Sequence, residues 1–223
     1  MASFRSTTGE CRWIDKTEVT LTQYGEFLAT NPSSAVQAPY CDWNTGFIQS
    51  EACLADANVA SNQAPAAPVV CVDQCDAEAF CAWAGKRLCS GDWGSAGLND
   101  PSRSEWYDAC SDGGAHDYPY AGNYQPEACN DAARTATGCN GGSCSTVVAG
   151  SLTLCVTPFG AFDLSGNVAE WASECGSITG ASDSCHVRGG GIDTPGGSAQ
   201  CGVAGDRRRD FVSKTVGFRC CAG

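Results

Sequence analysis

The segment Asp163–Glu170 carries residue types that could bind a calcium ion, in the order Asp-Leu-Ser-Gly-Asn-Val-Ala-Glu. Calcium takes about six to eight oxygen ligands, typically carboxylates together with carbonyls that a tight turn points inward. Asp163 and Glu170 supply two negative charges seven residues apart, and the Ser-Gly-Asn sequence between them predicts the turn. The sequence therefore predicts a calcium site. The alternative interpretation is that Glu170 caps a loop and Asp163 is solvated.

Cysteine is the residue type that most constrains the interpretation of this chain. There are 17 cysteines and two histidines in 223 residues, and the cysteines are scattered from Cys11 to Cys221 rather than grouped in paired zinc motifs. So few histidines exclude a histidine-rich metal site. Scattered cysteines predict disulfides, and disulfides predict an extracellular, cell-surface or periplasmic location. Because the count is odd, at least one thiol is expected to be free or to pair with another chain.

Composition and charge exclude several classes of protein. With 43% hydrophobic and 17% charged residues, the chain is too apolar and too lightly charged to be disordered. A net charge of -12 argues against nucleic acid as a partner, because phosphate binding needs a basic surface. No apolar run approaches the ~20 residues of a transmembrane segment. Neither a repeat nor a low-complexity linker divides the sequence, which predicts one domain over residues 1–223.

Helical spacing predicts three helices that would position these groups. The first follows Thr20, which starts a Thr-x-x-Gln capping box. The second begins at Asp73 and ends before Gly85, and the third starts at Ser102 with a Glu as its box partner. Two further segments have strand-like sequences: Thr146–Val148 and Val216–Arg219. These elements predict an α+β fold with much ordered loop, which cross-links or metals must hold.

Eight short blocks follow one another along the chain: Asp15–Thr20, Phe80–Leu88, Glu105–Trp106, Tyr118–Tyr120, Cys129–Asn130, Gly166–Trp171, Arg188–Gly190 and Gly217–Cys220. Together and in this order they resemble the sulfatase-modifying-factor family, which is the family of the formylglycine-generating enzyme. The resemblance covers about residues 11–221. It implies a compact, loop-rich, disulfide-rich α+β fold related to C-type lectins. The tryptophans of these blocks are expected in the core: Trp83, Trp106 and Trp171.

The resemblance also bears on catalysis. Formylglycine-generating members oxidise a cysteine of a sulfatase peptide with dioxygen, and two cysteine thiolates five positions apart hold their copper(I). The family pattern places that pair after Arg188-Gly189-Gly190, but residues 191–200 contain no cysteine, and Cys201 matches a structural cysteine instead. Cys185 is the nearest candidate for a rearranged site. We therefore predict no catalytic residues and no copper, because function depends on the site rather than on the fold.

Other catalytic arrangements have little support in the sequence. The iron-dependent sulfoxide synthases that resemble this domain need a three-histidine site, and the two histidines here, His116 and His186, are distant from each other. There is no Gly-x-Ser-x-Gly elbow and no phosphate-binding loop. His116 lies in a Gly-Gly-Ala-His-Asp sequence, which is typical of an exposed or locally hydrogen-bonded histidine.

The resemblance further implies two calcium sites. The ligands of the first would be the side chains of Asp163 and Glu170 and the carbonyl oxygens of Gly166 and Val168. The second would use Asn130 and the carbonyl of Asp131, although its downstream ligands are disrupted around residues 140–144. Calcium is thus the expected cofactor.

Two disulfides are implied by the resemblance as well: Cys81–Cys220 and Cys110–Cys201. Cys221 directly follows one of these cysteines and could take its partner or form a vicinal bridge. The segment 89–103 lengthens the usual connection between helices, so its added cysteine, Cys89, is expected to pair locally.

These features predict a non-catalytic, secreted or cell-surface binding or structural module that calcium and disulfides stabilise. The cleft and the 191–212 loop would form its recognition surface for a protein or glycan ligand. The Arg207–Arg209 run in this loop either docks an anionic partner or pairs internally with carboxylates. Two alternatives remain open: a copper-dependent formylglycine-generating oxidase with a rearranged site, and a self-assembling subunit of an extracellular assembly or filament.

Overall fold

A computed structural model of the chain describes residues 1–55, 63–94, 98–135 and 144–223. Its helices are α1 (Leu21–Ala29), α2 (Glu51–Leu54), α3 (Gln74–Trp83) and α4 (Glu105–Ser111), with short 3₁₀ turns at Ser34–Val36 and Pro39–Cys41. Its strands are β1 (Ala2–Arg5), β2 (Cys11–Ile14), β3 (Arg87–Leu88), β4 (Ala169–Cys175), β5 (Ser184–Arg188), β6 (Ala204–Arg208), β7 (Val216–Phe218) and β8 (Cys220–Ala222). The predicted α+β class with much ordered loop is confirmed.

The strands form two four-stranded sheets that the last segment of the chain connects. The first sheet has the order β1-β2-β8-β3, and its neighbours are antiparallel. The second has the order β6-β5-β4-β7, in which β4 and β7 are parallel and the other pairs antiparallel. Arg219 is the residue between β7 and β8. It therefore lies where the chain leaves one sheet and enters the other.

The first residues of the helices show where a local capping sequence is sufficient to predict a helix start. Thr20 caps α1 with the predicted capping box, and Asp73, the predicted start of the second helix, caps α3 in a reciprocal box with Asp76. The third helix begins later than predicted, because Ser104 and not Ser102 accepts the hydrogen bond from the backbone N–H of Tyr107. Ser102 instead donates its hydroxyl and its backbone N–H to the side chain of Asp100, which holds it in a turn.

The two strand predictions had opposite outcomes. Val216–Phe218 is a strand, whereas the prediction of a strand at residues 146–148 is wrong. There, the backbone N–H of Val147 donates to the side-chain oxygen of Asn167 at 2.9 Å. The backbone N–H of Val147 thus pairs with a side chain instead of with a neighbouring strand.

Between described residues there are seven disulfides, and both bridges that the resemblance implied are among them: Cys81–Cys220 and Cys110–Cys201. The other five are Cys41–Cys75, Cys53–Cys71, Cys89–Cys221, Cys129–Cys155 and Cys175–Cys185. Cys89 thus pairs across a separation of 132 residues, which corrects the expectation of a local partner. The reason is that β3 and β8 are neighbouring strands in which Arg87 faces Cys221. Cys144 is also disulfide-bonded, and within the described residues Cys11 is a free, exposed thiol.

The core consists of two larger apolar clusters and a small one. In the first, α1 and α3 pack on the second sheet through Tyr24, Phe27, Phe80 and Phe218, whose rings contact one another. The second surrounds α4 beneath the first sheet. Trp106 and Trp171 are fully buried as predicted, but Trp83 is 43% exposed, because it ends α3 at the edge of a surface cleft. No helix among the described residues has the length and apolar character needed to cross a membrane.

Candidate functional site

The predicted calcium segment forms a tight turn whose backbone requires special residues. Asp163, Gly166 and Asn167 all have positive φ angles, of 59°, 74° and 59°. A Cβ atom on Gly166 would lie 2.6 Å from the carbonyl oxygen of Asn130, so only glycine fits this close approach. The turn leads directly into β4, which begins at Ala169. Asp163 and Glu170 are therefore held at the two ends of one rigid, buried turn.

Glu170 is fully engaged within the protein. Its two carboxylate oxygens accept hydrogen bonds from Nε and Nη2 of Arg219 at 2.7–2.9 Å. The indole Nε1 of Trp106 donates to Oε2 at 2.8 Å. Both the Glu170 and Arg219 side chains are buried, and the one hydrogen on Nε is shared between the two carboxylate oxygens, so three N–H groups donate to Glu170. Arg219 thus neutralises Glu170 and takes up most of its hydrogen-bonding capacity, which makes Glu170 a weaker candidate ligand than a carboxylate with an unpaired oxygen.

A different carboxylate, Glu18, lies beside Asp163. Burial raises the pKa of Glu18 well above its ordinary value, and the nearby Asp163 carboxylate adds to the rise. Burial likewise raises the pKa of Asp163 to about 6. Glu18 is 145 residues away from Asp163 in sequence, and nothing in its local sequence indicates this proximity. Sequence reasoning therefore missed it.

Each of these two carboxylates keeps one oxygen without a hydrogen-bond partner. Asp163 accepts from the backbone N–H of Gly150 through Oδ2, at 2.6 Å, and its Oδ1 has no partner. Glu18 accepts from the amide of Asn167 through Oε1, at 2.8 Å, and its Oε2 has no partner. A buried, unsatisfied carboxylate oxygen is costly, so such atoms need a proton or a cation.

The donor set fits a divalent cation of the calcium type. Glu18, Asp163 and Glu170 bring three potential negative charges, of which the guanidinium of Arg219 neutralises one. The two remaining charges and two unpaired oxygens match the charge and oxygen preference of Ca²⁺. The carbonyl oxygens of Gly166 and Val168 belong to the same turn. In the absence of a cation, one proton shared between Glu18 and Asp163 would serve instead.

The residues predicted for a second calcium site make other contacts. Asn130 donates its side-chain amide to Asn167 and Ser145, and its carbonyl accepts from the backbone N–H of Asn167. The carbonyl of Asp131 accepts from the backbone N–H of Arg134 at 3.1 Å. Most of the downstream segment, residues 136–143, lies outside the described residues. This second site remains a prediction.

The loop at the position of the family's thiolates is tied down by hydrogen bonds. Thr194 accepts from the backbone N–H of Gly191 through its hydroxyl and from that of Ala132 through its carbonyl. Tyr118 donates its hydroxyl to the carbonyl of Gly197 at 2.6 Å. These contacts give residues 191–200 a defined conformation that contains no thiol.

The cysteines around this loop are in disulfides. Cys201 is bonded to Cys110, and Cys185, the candidate for a rearranged site, is bonded to Cys175. The free thiol of Cys11 lies on the first sheet, in a small cleft of about 250 Å³. Among the described residues, no pair of thiolates is available to bind copper(I).

A group of three potential metal ligands near the first sheet includes two cysteines that form a disulfide. The sulfurs of Cys89 and Cys221 and a carboxylate oxygen of Glu105 lie within 4.8 Å of one another. Because the two sulfurs are bonded to each other, they are not thiolates and do not bind a metal as such. Glu105 is paired with Arg87 through two hydrogen bonds. This cluster is therefore structural.

His186 is part of a buried polar network rather than a nucleophilic triad. Its Nδ1 lies 2.8 Å from Oε2 of Glu174, which also accepts from Nε of Arg188 at 2.9 Å. The hydroxyl of Ser104 donates to Glu174 and not to the imidazole. Ser104 is therefore not hydrogen-bonded to the imidazole, as the nucleophile of a Ser-His-Asp triad would be. His116 is half-buried, and its backbone N–H donates a hydrogen bond to the carbonyl of Ser111.

The three consecutive arginines make contacts within the chain. Arg209 is buried and donates to Asp183 and Gln74. Arg208 pairs with Asp210 on the surface, and Arg207 lies over the ring of Phe211 at 5.3 Å. Internal pairing therefore accounts for two of the three charges.

Fold and site together define a class of protein: a mixed helix–sheet chain, linked by disulfides, around a buried acidic turn. A sequence profile described as the sulfatase-modifying factor enzyme 1-like domain, FGE-sulfatase, matches residues 6–222. The chain belongs to this family.

Among curated proteins, the chain is similar to the inactive C-alpha-formylglycine-generating enzyme 2 of Bos taurus, with 31% identity over 170 residues. The match covers 70% of this chain and 50% of the relative. The chain thus spans about half the length of the curated relative that it matches.

Solved structures share the fold at low sequence identity. PvdO from Pseudomonas aeruginosa is 20% identical with a TM-score of 0.64, covering 96% of this chain and 80% of that one. CarF is 20% identical with a TM-score of 0.58, covering 99% and 92%. Treponema denticola variable protein 1 is 16% identical with a TM-score of 0.58, covering 95% and 84%. At these identities the likeness concerns the fold alone.

Proposed function

We propose that this chain is a non-catalytic, extracellular binding module built on the formylglycine-generating-enzyme fold, with a structural calcium ion. The observation that supports it most is the loop at residues 191–200. This loop is ordered by hydrogen bonds and lacks both thiolates on which copper chemistry depends. The curated relative carries the word inactive in its name, which agrees with the proposal.

The calcium ion is proposed to lie between Glu18 and Asp163, with carbonyl oxygens of the Gly166 turn completing its coordination. Its role would be structural, because the carboxylates are buried and no substrate could reach them from solvent. Bound calcium would supply positive charge to the two unpaired oxygens and fix the turn that precedes β4. Glu170 would support the turn through Arg219 without contacting the ion.

The disulfides support a location in an oxidising compartment. Seven bridges join the described residues, and the cytosol keeps most thiols reduced. We propose secretion or cell-surface display, where residues 191–212, an ordered loop followed by β6, would present a recognition surface to a protein or a glycan.

Self-assembly is a second candidate, and the exposed thiol of Cys11 is the observation that favours it. A covalent dimer through Cys11 would migrate at twice the monomer mass on a non-reducing gel, and Cys11→Ser would abolish that species. A monomeric band for natively purified protein would remove the covalent form of this candidate.

Titration with copper(I) and a turnover assay test the proposed lack of catalysis. The purified protein is expected to show no tight bis-thiolate copper site under conditions that keep its disulfides intact. A sulfatase-type peptide with a cysteine should remain unmodified, and no copper-dependent oxygen consumption should occur. Reproducible formylglycine formation above a heat-inactivated control would overturn the proposal and favour the oxidase alternative.

A further inference from the structure

An apolar cleft lies on the opposite side of α3 from the second sheet, at the surface formed by α1, α3 and the 3₁₀ turns. Its volume is about 510 Å³, which is within the range of small-molecule sites. Phe27, Phe47 and Trp83 supply three aromatic rings to its lining, and Val36, 85% exposed, stands at its rim. None of its lining residues belongs to the Asp163–Glu170 turn or to residues 191–212.

The cleft is formed in advance by covalent and aromatic contacts. The Cys41–Cys75 disulfide lines it and ties the second 3₁₀ turn to α3. The ring of Phe27 contacts those of Phe47 and Trp83 at centroid distances of 5.3 and 5.6 Å. Because these walls are already packed, a ligand would lose little free energy in ordering them.

Most polar side chains in the lining are already satisfied. Thr30 donates to the carbonyl of Phe27, and Ser33 accepts from the backbone N–H of Ala35. The amide of Gln37 donates to the carbonyl of Asn44 and accepts from its side chain. These side chains therefore do not need a hydrogen bond or a charge from a ligand.

Glu78 is the exception among these polar groups. Its Oε1 accepts from the hydroxyl of Tyr40 at 2.8 Å, and its Oε2 is buried with no hydrogen-bond partner. Burial, and then the bond to Glu78, raise the pKa of Tyr40 to about 12, so its hydroxyl stays a donor at neutral pH. The terminal torsion of a glutamate is broad, so a small rotation can present Oε2 to the cleft. None of the described residues that line the cleft is positively charged, so Glu78 has no cationic partner among them.

We propose that this cleft binds a small amphipathic organic cation, with its apolar or aromatic body against Phe27 and Trp83 and its ammonium group on Glu78. Two physical effects favour this ligand class. A charge-assisted hydrogen bond to a carboxylate is roughly twice as strong as a neutral one. Aromatic faces around a cation add an attraction of their own.

Tryptamine and tryptophol are suitable probes, because they share the indole-ethyl frame and differ in an ammonium against a hydroxyl group. Isothermal titration of the full chain near pH 7 should show tryptamine binding about tenfold more tightly than tryptophol. Equal affinities, or binding of neither probe, would overturn the proposal. This comparison needs no variant, so it stands even if a substitution impairs folding.

Three variants locate the effect. Glu78→Gln should remove the preference for tryptamine, while Glu26→Gln, on the exposed surface of α1, should leave it intact. Ala82→Leu, which places bulk in the cleft from the exposed side of α3, should weaken both probes by about tenfold or more. A preference that survives in Glu78→Gln contradicts the assigned role of Glu78. A dimer in solution that only Ala82→Leu dissociates, with no probe bound, would make the cleft a self-association surface instead.

Discussion

The guanidinium of Arg219 holds the carboxylate of Glu170 through contacts of 2.7–2.9 Å, with both side chains buried. Arg219 lies where the chain passes from one sheet to the other, and Glu170 lies at the start of β4 after the acidic turn. The pair therefore links both sheets to the proposed calcium site. Arg219 also neutralises one of the three carboxylates buried at this site, and the other two, Glu18 and Asp163, each have an unpaired oxygen.

Breaking this ion pair should destabilise the protein strongly. Arg219→Met leaves the Glu170 carboxylate buried and uncompensated, which typically costs about 3–5 kcal/mol. Arg219→Lys keeps the charge but loses the two-pronged geometry, so its cost should be smaller. Urea unfolding followed by tryptophan fluorescence measures both. A free energy of unfolding within about 0.5 kcal/mol of wild type for Arg219→Met would contradict this assignment.

Calcium should stabilise the wild-type protein, because an ion that binds only the native state shifts unfolding by mass action. Chelation is expected to lower the melting temperature, and metal analysis of native protein should find about one calcium per chain. Glu18→Gln should abolish the response to calcium. The same variant should stabilise the chelated protein, because it removes a buried, unpaired carboxylate.

Asp117→Asn, at an exposed position, is the matched control and should respond to calcium as wild type does. An unchanged melting temperature in excess chelator, together with no bound calcium, would favour a shared proton between Glu18 and Asp163 over a cation.

The two disulfides at the C-terminus should be partly redundant. Cys81–Cys220 and Cys89–Cys221 close loops of 139 and 132 residues between almost the same points of the chain. With one bridge intact, the other closes a ring of only about ten residues, which is worth about 2–3 kcal/mol in the chain-entropy model.

Replacing Cys81 and Cys220 by alanine should therefore cost about 2–3 kcal/mol, and removing both bridges should cost a further ~5 kcal/mol. Urea unfolding of one variant that lacks a single bridge and of another that lacks both measures these two costs. If each bridge costs the same whether or not the other is present, the redundancy is absent. Non-reducing peptide mapping of wild type should recover both pairs.

The acidic pair that begins α3 should make stability depend on pH. Burial raises the pKa of Asp73 to about 6, and burial with the neighbouring Asp73 charge raises that of Asp76 to about 8. Raised carboxyl pKa values mean that the native state binds more protons than the unfolded state. Their contribution is therefore present below about pH 4 and is lost as pH rises through 6 and 8. The loss should amount to a few kcal/mol.

Asp76→Asn should reduce this dependence between pH 5 and 8.5, because it removes one titrating group, while Asp73 and the buried Asp163 still contribute. Asp42→Asn, at an exposed position in the preceding turn, should leave the dependence unchanged. Chemical unfolding across this range in both variants provides the measurement. A wild-type protein that is more stable at pH 8 than at pH 5 would contradict the assignment.

Local sequence was sufficient where local hydrogen bonds decide the structure. The boxes at Thr20 and Asp73 start helices as predicted, because their partners are three residues away. The same logic failed at Ser102, because Asp100, only two residues away, accepts the hydrogen bond from its hydroxyl. The turn that holds Asp163 also follows from sequence, since Gly166 and Asn167 tolerate positive φ.

The amino-acid sequence by itself determined the family, the abundance of cysteine and the lack of thiolates at residues 191–200. Only the tertiary structure decided that Glu18 lies beside Asp163, that Arg219 forms an ion pair with Glu170, and that Cys89 is bonded to Cys221. These pairs are separated by 145, 49 and 132 residues. Their meeting depends on how the two sheets place strands that are distant in sequence side by side. No local pattern encodes that placement. Bringing distant strands together costs chain entropy, which the burial and packing of the whole chain must offset.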